Sequence, residues 1–496
     1  MPSPNNLLYN PRYSAYVQDD LHVFPRLTVN FGIRYMIQPA VSTRSGAMSN
    51  FDFSTGQLVV ETRNGKVSDQ AIPRLLSAYP WVGSEAHGWG DSVMRTDKNN
   101  FAPRFGFAWR PFARDSLVVR GAYGIYYAAL PAGIGAAFLA SSNPPFSLSE
   151  QYNSDSAAAG QIAIPNLTFA NPFPGTGAIS ANPTIYAVDR DARNTLSQQW
   201  NMTFERRLPM QTTFRVTYLG NKSTRVPWYQ YNMNLPVKMQ AGTLQTMRPY
   251  QPWADILTLH TQAQSFTNQL QAELTRRMSS GFFWLVNYTL NKTIDNADYS
   301  ANTSPQDPYN ANLDRGIGQN TRIHTFNFSG GYELPFGPGK KFLRRGGLVG
   351  KFTGGWMLNT LTTLKSGTPF SVTFSTSTTT WYMHRTNVVG DWHVADPSIN
   401  EWFNPKAFAT PAIYTQGNSG RDILFGPWLF DSDLSLIKST TFLERYTLQF
   451  RTEAFNFPNH PSFGPPAFSV SSTNIGQIRA TSVDNRVLQF GLKLLF

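Results

Sequence analysis

Apolar and polar side chains alternate with a period of two in segment after segment of this chain. The last segment, Arg486–Phe496, shows the pattern most plainly. Leu488, Phe490, Leu492, Leu494 and Phe496 share one parity, while Gln489, Gly491 and Lys493 occupy the other. Period two is the signature of a β-strand with one apolar face. Twelve earlier segments repeat it. Ser14–Val23 and Leu27–Met36 form a first hairpin, Phe101–Arg110 and Leu117–Tyr127 a second, Trp200–Leu208 and Thr212–Tyr218 a third. Leu270–Arg277 with Phe282–Leu290, Arg322–Leu334 with Trp356–Leu364, and Trp428–Lys438 with Tyr446–Phe455 complete six hairpins.

Connection lengths discriminate between fold classes. Short turns such as Phe24-Pro25-Arg26, Pro209-Met210-Gln211 and Ser279-Ser280-Gly281 alternate with connections of tens of residues, among them 37–100 and 457–485. Sandwiches and propellers space their turns more evenly. Transmembrane barrels need short periplasmic turns and long extracellular loops, and strands of about 9–11 residues. The pattern predicts an all-β, antiparallel transmembrane β-barrel. With all the short turns on one side, the final strand runs toward that side and leaves Phe496 in the periplasm.

The polar parity then forms the lumen-facing set: Arg34, Arg104, Arg120, Glu205, Arg207, Arg215, Glu273, Arg451, Glu453 and Lys493. A Lys or Arg facing lipid at the bilayer midplane costs about 2–4 kcal/mol, so charges belong on this face. Asp19, Arg206 and Arg276 break the rule, the two arginines next to short turns where the cost falls. Tyr35, Trp109, Tyr127, Trp200, Trp356 and Trp428, near strand ends, are expected to form interfacial girdles.

Composition adds boundaries. Of the 496 residues, 41% are hydrophobic and 15% charged, the latter below the soluble average of about 25%. No run approaches 18 apolar residues, which excludes a transmembrane helix, and a mean hydropathy of −0.31 is compatible with strands that are only half apolar. The chain has no cysteine, hence no disulfide, thiolate metal site or cysteine nucleophile. The net charge of +12 is dispersed singly rather than gathered into a stripe, which argues against nucleic acid as a partner. The densest basic group is Lys340, Lys341, Arg344 and Arg345.

Catalytic chemistry finds no support. His22, His87, His260, His324, His384, His393 and His460 lack zinc-hydrolase spacing, and no G-x-S-x-G occurs. Gly337–Lys341 lacks phosphate-loop spacing and reads as a solvated periplasmic turn. Asp431/Asp433 and Asp295/Asp298 could attract calcium but lack EF-hand spacing. His460, in N-H-P-S-F-G, is expected to shape a loop-folding turn. No cofactor is implied.

Several stretches resemble one family. Y-V-Q-D-D at Tyr16–Asp20, P-R-L-T-V-N-F-G-I-R-Y at Pro25–Tyr35 and N-F-A-P-R-F-G-F-A-W at Asn100–Trp109 resemble TonB-dependent outer-membrane receptors. V-V-R-G-A-Y-G-I-Y-Y at Val118–Tyr127, Y-E-L-P-F-G at Tyr332–Gly337, G-N-S-G-R-D at Gly417–Asp422 and F-R-T-E-A-F-N-F-P-N-H-P-S-F-G at Phe450–Gly464 are similar to its Oar-like branch. The aromatic C-terminus, with Phe490, Leu492, Leu494 and Phe496, resembles the strand signal read by outer-membrane assembly machinery.

The resemblance implies a Gram-negative outer-membrane location and a 22-stranded barrel. It further implies an N-terminal plug, often a carboxypeptidase-regulatory-like domain ahead of it, and a segment that contacts TonB. Residues 1–496 depart from that pattern, with about thirteen strands, no signal peptide, no plug and no TonB-contacting segment. They are therefore expected to be the C-terminal barrel portion, and not to close into a functional barrel alone, because open edges are not tolerated in lipid. The implied function is energy-coupled uptake or binding of a large nutrient such as an oligosaccharide, peptide or chelate. The alternative is an adhesion protein using the barrel as anchor in outer-membrane lipid and its loops for surface contacts.

Overall fold

The computed structural model describes residues 7–112, 117–130, 136–147, 179–238, 240–296, 305–375, 385–442 and 445–496. His384, Asp298 and part of the turn at 111–115 lie outside these residues. Thirteen strands form one continuous path in sequence order, every neighbour antiparallel. They are β1 (Tyr13–Phe24), β2 (Leu27–Gln38), β3 (Asp97–Trp109), β4 (Leu117–Ala128), β5 (Thr195–Leu208), β6 (Thr212–Asn232) and β7 (Ile256–Ser279). Then follow β8 (Phe282–Asp295), β9 (His324–Glu333), β10 (Trp356–Lys365), β11 (Leu429–Phe442), β12 (Tyr446–Phe455) and β13 (Val487–Leu495). Two short strands join off the path: Ile185–Val188 runs parallel to β7, and Gly316–Ile317 pairs with β8.

Register keeps one parity of residues on one face through all thirteen strands. Val17 faces Ile33, Phe105 faces Tyr123, Phe204 faces Val216, Val286 faces Phe328, and Phe450 faces Leu492. The strands are also staggered. A row followed across the sheet from Phe31 passes Phe105, Tyr123, Trp200, Gly220 and Asn268 to Lys292. It leaves the apolar band part-way, as it must if strands tilt relative to a barrel axis.

Tight turns close the hairpins on one side. Met210 and Gln211 both take positive φ, 59° and 56°, and the Thr212 N–H returns to the Pro209 carbonyl at 3.3 Å. Ser280 and Gly281, at 55° and 87°, do the same for β7 and β8. Positive φ at both central positions gives the turn whose twist matches the flanking strands.

β6 and β7 run far beyond the alternating segments 212–218 and 270–277. Above Gly220 the chain reads N-K-S-T-R and carries register shifts between Ser223 and Val226 and between Trp228 and Tyr231. Backbone pairing continues there without a lipid-facing constraint, so the period-two signal fades while the strand does not.

Most of the buried core lies in the long connections and against the outer ends of β6 and β7. Long connections fold into two caps on the side opposite the tight turns. In the first, the sheet Ser49–Asp52, Gln57–Val60 and Trp81–Gly83 and the helix Pro73–Ala78 gather Phe51, Leu58, Val60, Leu75, Trp253 and Ile256. In the second, Phe370, Val372, Phe403, Phe408 and Leu424 pack together. The stretch 37–100, with no strong pattern in sequence, is thus ordered by packing against Pro144, Val188 and Trp253, from 95 to 202 positions away.

Candidate functional site

Every charged residue expected on the polar face is there by register, opposite the apolar one. Four of them meet. Glu205 Oε2 accepts from Arg120 Nη1 at 3.0 Å and from Arg215 Nε at 3.1 Å, and Arg215 Nη1 reaches Glu273 Oε1 at 3.3 Å. Glu205, Arg215 and Glu273 are direct cross-strand partners, so the ladder spans β4 to β7. Arg34 donates to Ser14 Oγ at 2.8 Å, and the Arg104 guanidinium lies 4.6 Å over the Tyr126 ring. Arg451 donates to Gln449 Oε1 at 2.7 Å, while Glu453 and Lys493 face Gln489 and Gln449. Those three are remote from the ladder. Beside Arg34 and Arg104 a furrow of about 590 Å³ is floored by Gly32, Gly106 and Ala122, where small side chains leave room.

The exceptions have local explanations. Arg276 is buried at a tight turn, its guanidinium 3.8 Å over the Phe282 ring and donating to the Ser279 carbonyl at 3.2 Å. Arg206 faces Phe214 near the adjacent turn. Asp19 faces Phe31 on the apolar parity, its carboxylate accepting from the Asp20 N–H. On the last strand Phe490, Leu492 and Leu494 share the apolar parity and are exposed, Phe490 stacking on Phe450 at 6.5 Å between centroids, and Phe496 is exposed too. At strand ends Tyr35 packs on Phe101 at 4.7 Å, Trp428 stacks on His324 at 5.8 Å, and the Trp356 indole N–H donates to the Phe352 carbonyl at 3.0 Å.

A second site, in the first cap, was not visible in the pattern. A cleft of about 760 Å³ lies between residues 89–99 and 190–193. The Arg190 guanidinium sits 4.9 Å over the Trp89 ring, its Nε buried without a hydrogen-bond partner. Burial, with Arg95 close by, lowers the pKa of Arg190 from its ordinary value. Lys98 and Arg193 line the same cleft, and Arg95 pairs with Asp191 at 2.7 Å. Such a site can hold ligand groups carrying negative charge against an aromatic wall. The paired segments are about a hundred residues apart in sequence, so only the clusters M-R-T-D-K and D-R-D-A-R could have hinted at them.

The motif Gly417–Asp422 turns out to tie the second cap together. Arg421 donates to Asp295 on β8, Ser371 Oγ donates to Asp422 Oδ1 at 2.9 Å, and Gln306 Nε2 donates to the Gly417 carbonyl at 2.6 Å. Nearby Arg385 Nη1 lies 2.8 Å from Asp314 Oδ1, both side chains almost fully buried. Burial pushes the Asp314 carboxyl up and the Arg385 guanidinium down, against their mutual attraction. His460 belongs to a loop-folding turn: its N–H donates to Asn456 Oδ1 at 3.0 Å, and Asn456 Nδ2 donates to the carbonyls of His460 and Asp484. Asp433 accepts from the Asn456 N–H, which leaves the suggested calcium ligands Asp295 and Asp433 engaged with protein groups.

A continuous two-faced antiparallel sheet with tight turns on one side and packed caps on the other defines a transmembrane β-barrel wall. The sequence model described as "Outer membrane beta barrel domain" matches residues 2–489. The chain belongs to this family, and its location is the Gram-negative outer membrane. Similar solved structures include the outer-membrane transporter YddB from Escherichia coli, at 9% identity and TM-score 0.47, covering 97% of this chain and 53% of that one. The pyoverdine receptor FpvA from Pseudomonas aeruginosa PAO1 is similar at 8% identity and TM-score 0.46, covering 100% and 43%. The siderophore receptor PirA from Acinetobacter baumannii is similar at 9% identity and TM-score 0.44, covering 98% and 45%. The chain thus spans about half or less of these structures. No curated protein matches it.

Proposed function

We propose that residues 1–496 are the C-terminal barrel portion of an Oar-like TonB-dependent receptor that takes up a large nutrient, whether chelate, oligosaccharide or peptide. The observation that carries this reading is the sheet itself. Its apolar face meets lipid, its charged face lines a lumen, and its caps stand over the mouth. The path begins at β1 and ends at β13, which do not pair with each other among the described residues. Both run toward the tight-turn side, so antiparallel closure requires an odd number of further strands. That arithmetic agrees with a larger, even-stranded barrel. TonB contact and a plug belong to the proposal for the whole receptor, and the last strand would be read by the assembly machinery.

The test is uptake by the source bacterium with and without the gene, in medium containing mixed chelates, glycans and peptides. Depletion of at least one solute that needs both the gene and the proton-motive force is expected. Unchanged uptake with lost surface attachment would replace this reading with the adhesion one, which the packed caps would serve. Liposomes holding residues 1–496 alone are expected to show no uniform pores.

A further inference from the structure

Of the connections on the tight-turn side, the one between β9 and β10 is exceptional. Residues 334–355 carry Lys340, Lys341, Arg344, Arg345 and Lys351 and no carboxylate. A short helix, Gly347–Thr353, ends the segment. Its Leu348 and Phe352 are each 76% exposed, Val349 and Leu343 more than half exposed, and no other part of the described chain covers them.

The surrounding contacts fix the depth at which this apolar edge sits. Trp356, on the lipid-facing parity of β10, donates its indole N–H to the Phe352 carbonyl. Lys438, its cross-strand partner on the same face, reaches over the Trp356 ring at 5.8 Å to the Lys351 carbonyl at 2.6 Å. A lysine on the lipid side whose ammonium bends toward the helix end is a snorkelling side chain, and a tryptophan beside it marks the headgroup level. The Gly350 backbone is pressed against Pro338 and the Arg345 carbonyl, which holds the helix across the turn rather than extended into the periplasm.

We propose that this turn is an interfacial anchor that binds anionic phospholipid of the periplasmic leaflet. Leu343, Leu348, Val349 and Phe352 enter the acyl boundary, and the basic side chains meet the phosphate and glycerol headgroups. Apolar residues flanked by cations, with no acid inside the segment, are the composition that interfacial helices use on anionic membranes. Glu333, just outside it, is neutralised by Lys340 at 2.6 Å. This inference is independent of transport.

Absence of cysteine from the chain makes the test direct. Leu348→Cys carries an environment-sensitive fluorophore, and the protein is placed in nanodiscs of phosphatidylethanolamine with or without phosphatidylglycerol. Blue-shifted emission, quenching by lipids spin-labelled near the headgroup and protection from aqueous iodide are expected. Lipid co-purified with the unlabelled protein should be enriched in phosphatidylglycerol by at least about fivefold. The variant Lys340→Gln, Lys341→Gln, Arg344→Gln, Arg345→Gln should lose that enrichment while retaining the far-ultraviolet circular dichroism of the unsubstituted chain, which reports a folded sheet. Iodide access equal to that in water, or enrichment unchanged in the Gln variant, would overturn the proposal.

Discussion

Glu205 on β5 lies directly opposite Arg215 on β6, and the carboxylate oxygen that receives the Arg215 Nε at 3.1 Å also receives Arg120 from β4. One acid therefore serves two cations across three strands. Both arginines are more than two-fifths exposed, so solvent screens the pairs. Glu205→Gln should cost about 0.5–1 kcal/mol in low salt and less in high salt. Denaturant unfolding in lipid vesicles at two ionic strengths measures this, and a salt-independent loss would mean that charge is not what the ladder contributes.

Val286 and Asn287 are neighbours on β8 that face Phe328 and Asn327 on opposite sides of the sheet. Val286→Arg should destabilise by about 2–4 kcal/mol, and Asn287→Arg by much less. The comparison in vesicles assigns the faces. Equal costs would refute the assignment.

Trp200 covers Gly220 across β5 and β6. A Cβ on Gly220 would stand 2.0 Å from the indole, so Gly220→Ala must displace the ring from its place near Phe266. A loss of about 1–3 kcal/mol is expected, with a shifted tryptophan emission. Gly106→Ala meets only the end of the Asn30 side chain and should cost less.

The Arg385–Asp314 pair is sealed inside the second cap. Removing either partner alone leaves a buried charge and should cost about 3–5 kcal/mol locally. The double variant Arg385→Met, Asp314→Leu should recover much of that loss. Hydrogen exchange in residues 366–375 and 385–428 reads the effect, and barrel strands should show none.

Tyr309 links the caps: its hydroxyl donates to the Leu235 carbonyl at 2.7 Å and to Met233 at 3.3 Å. Burial, with Tyr250 and Asp307 adding to it, raises its pKa from 10 to about 12. The folded state holds the proton more tightly than the unfolded one, so this contribution is complete below pH 10 and is lost as the pH rises toward 12. Phenolate absorbance should show late-titrating tyrosine, and Tyr309→Phe should remove the component near pH 12; the caps of that variant should separate more readily at neutral pH.

Alternation alone located the thirteen strands and their facing, because lipid and lumen impose opposite demands on successive residues. It placed Arg120, Glu205, Arg215 and Glu273 on one face, although spacing could not say that they touch; cross-strand register decides that. Alternation failed where no lipid acts. In the outer halves of β6 and β7, Trp228, Ile256, Leu259 and Ala263 are buried against cap segments rather than lipid, so their spacing follows tertiary packing and not a period of two. The caps were illegible for a related reason. Phe51 reaches Trp253, and Trp89 reaches Arg190, across chain separations at which no local period operates. G-N-S-G-R-D could be recognised as a motif, but its work, joining Arg421 to Asp295 and Asp422 to Ser371, exists only in three dimensions. The sequence by itself determined a membrane sheet of known facing. Tertiary packing decided the caps, the cleft and the ladder, because burial between distant segments leaves no periodic trace.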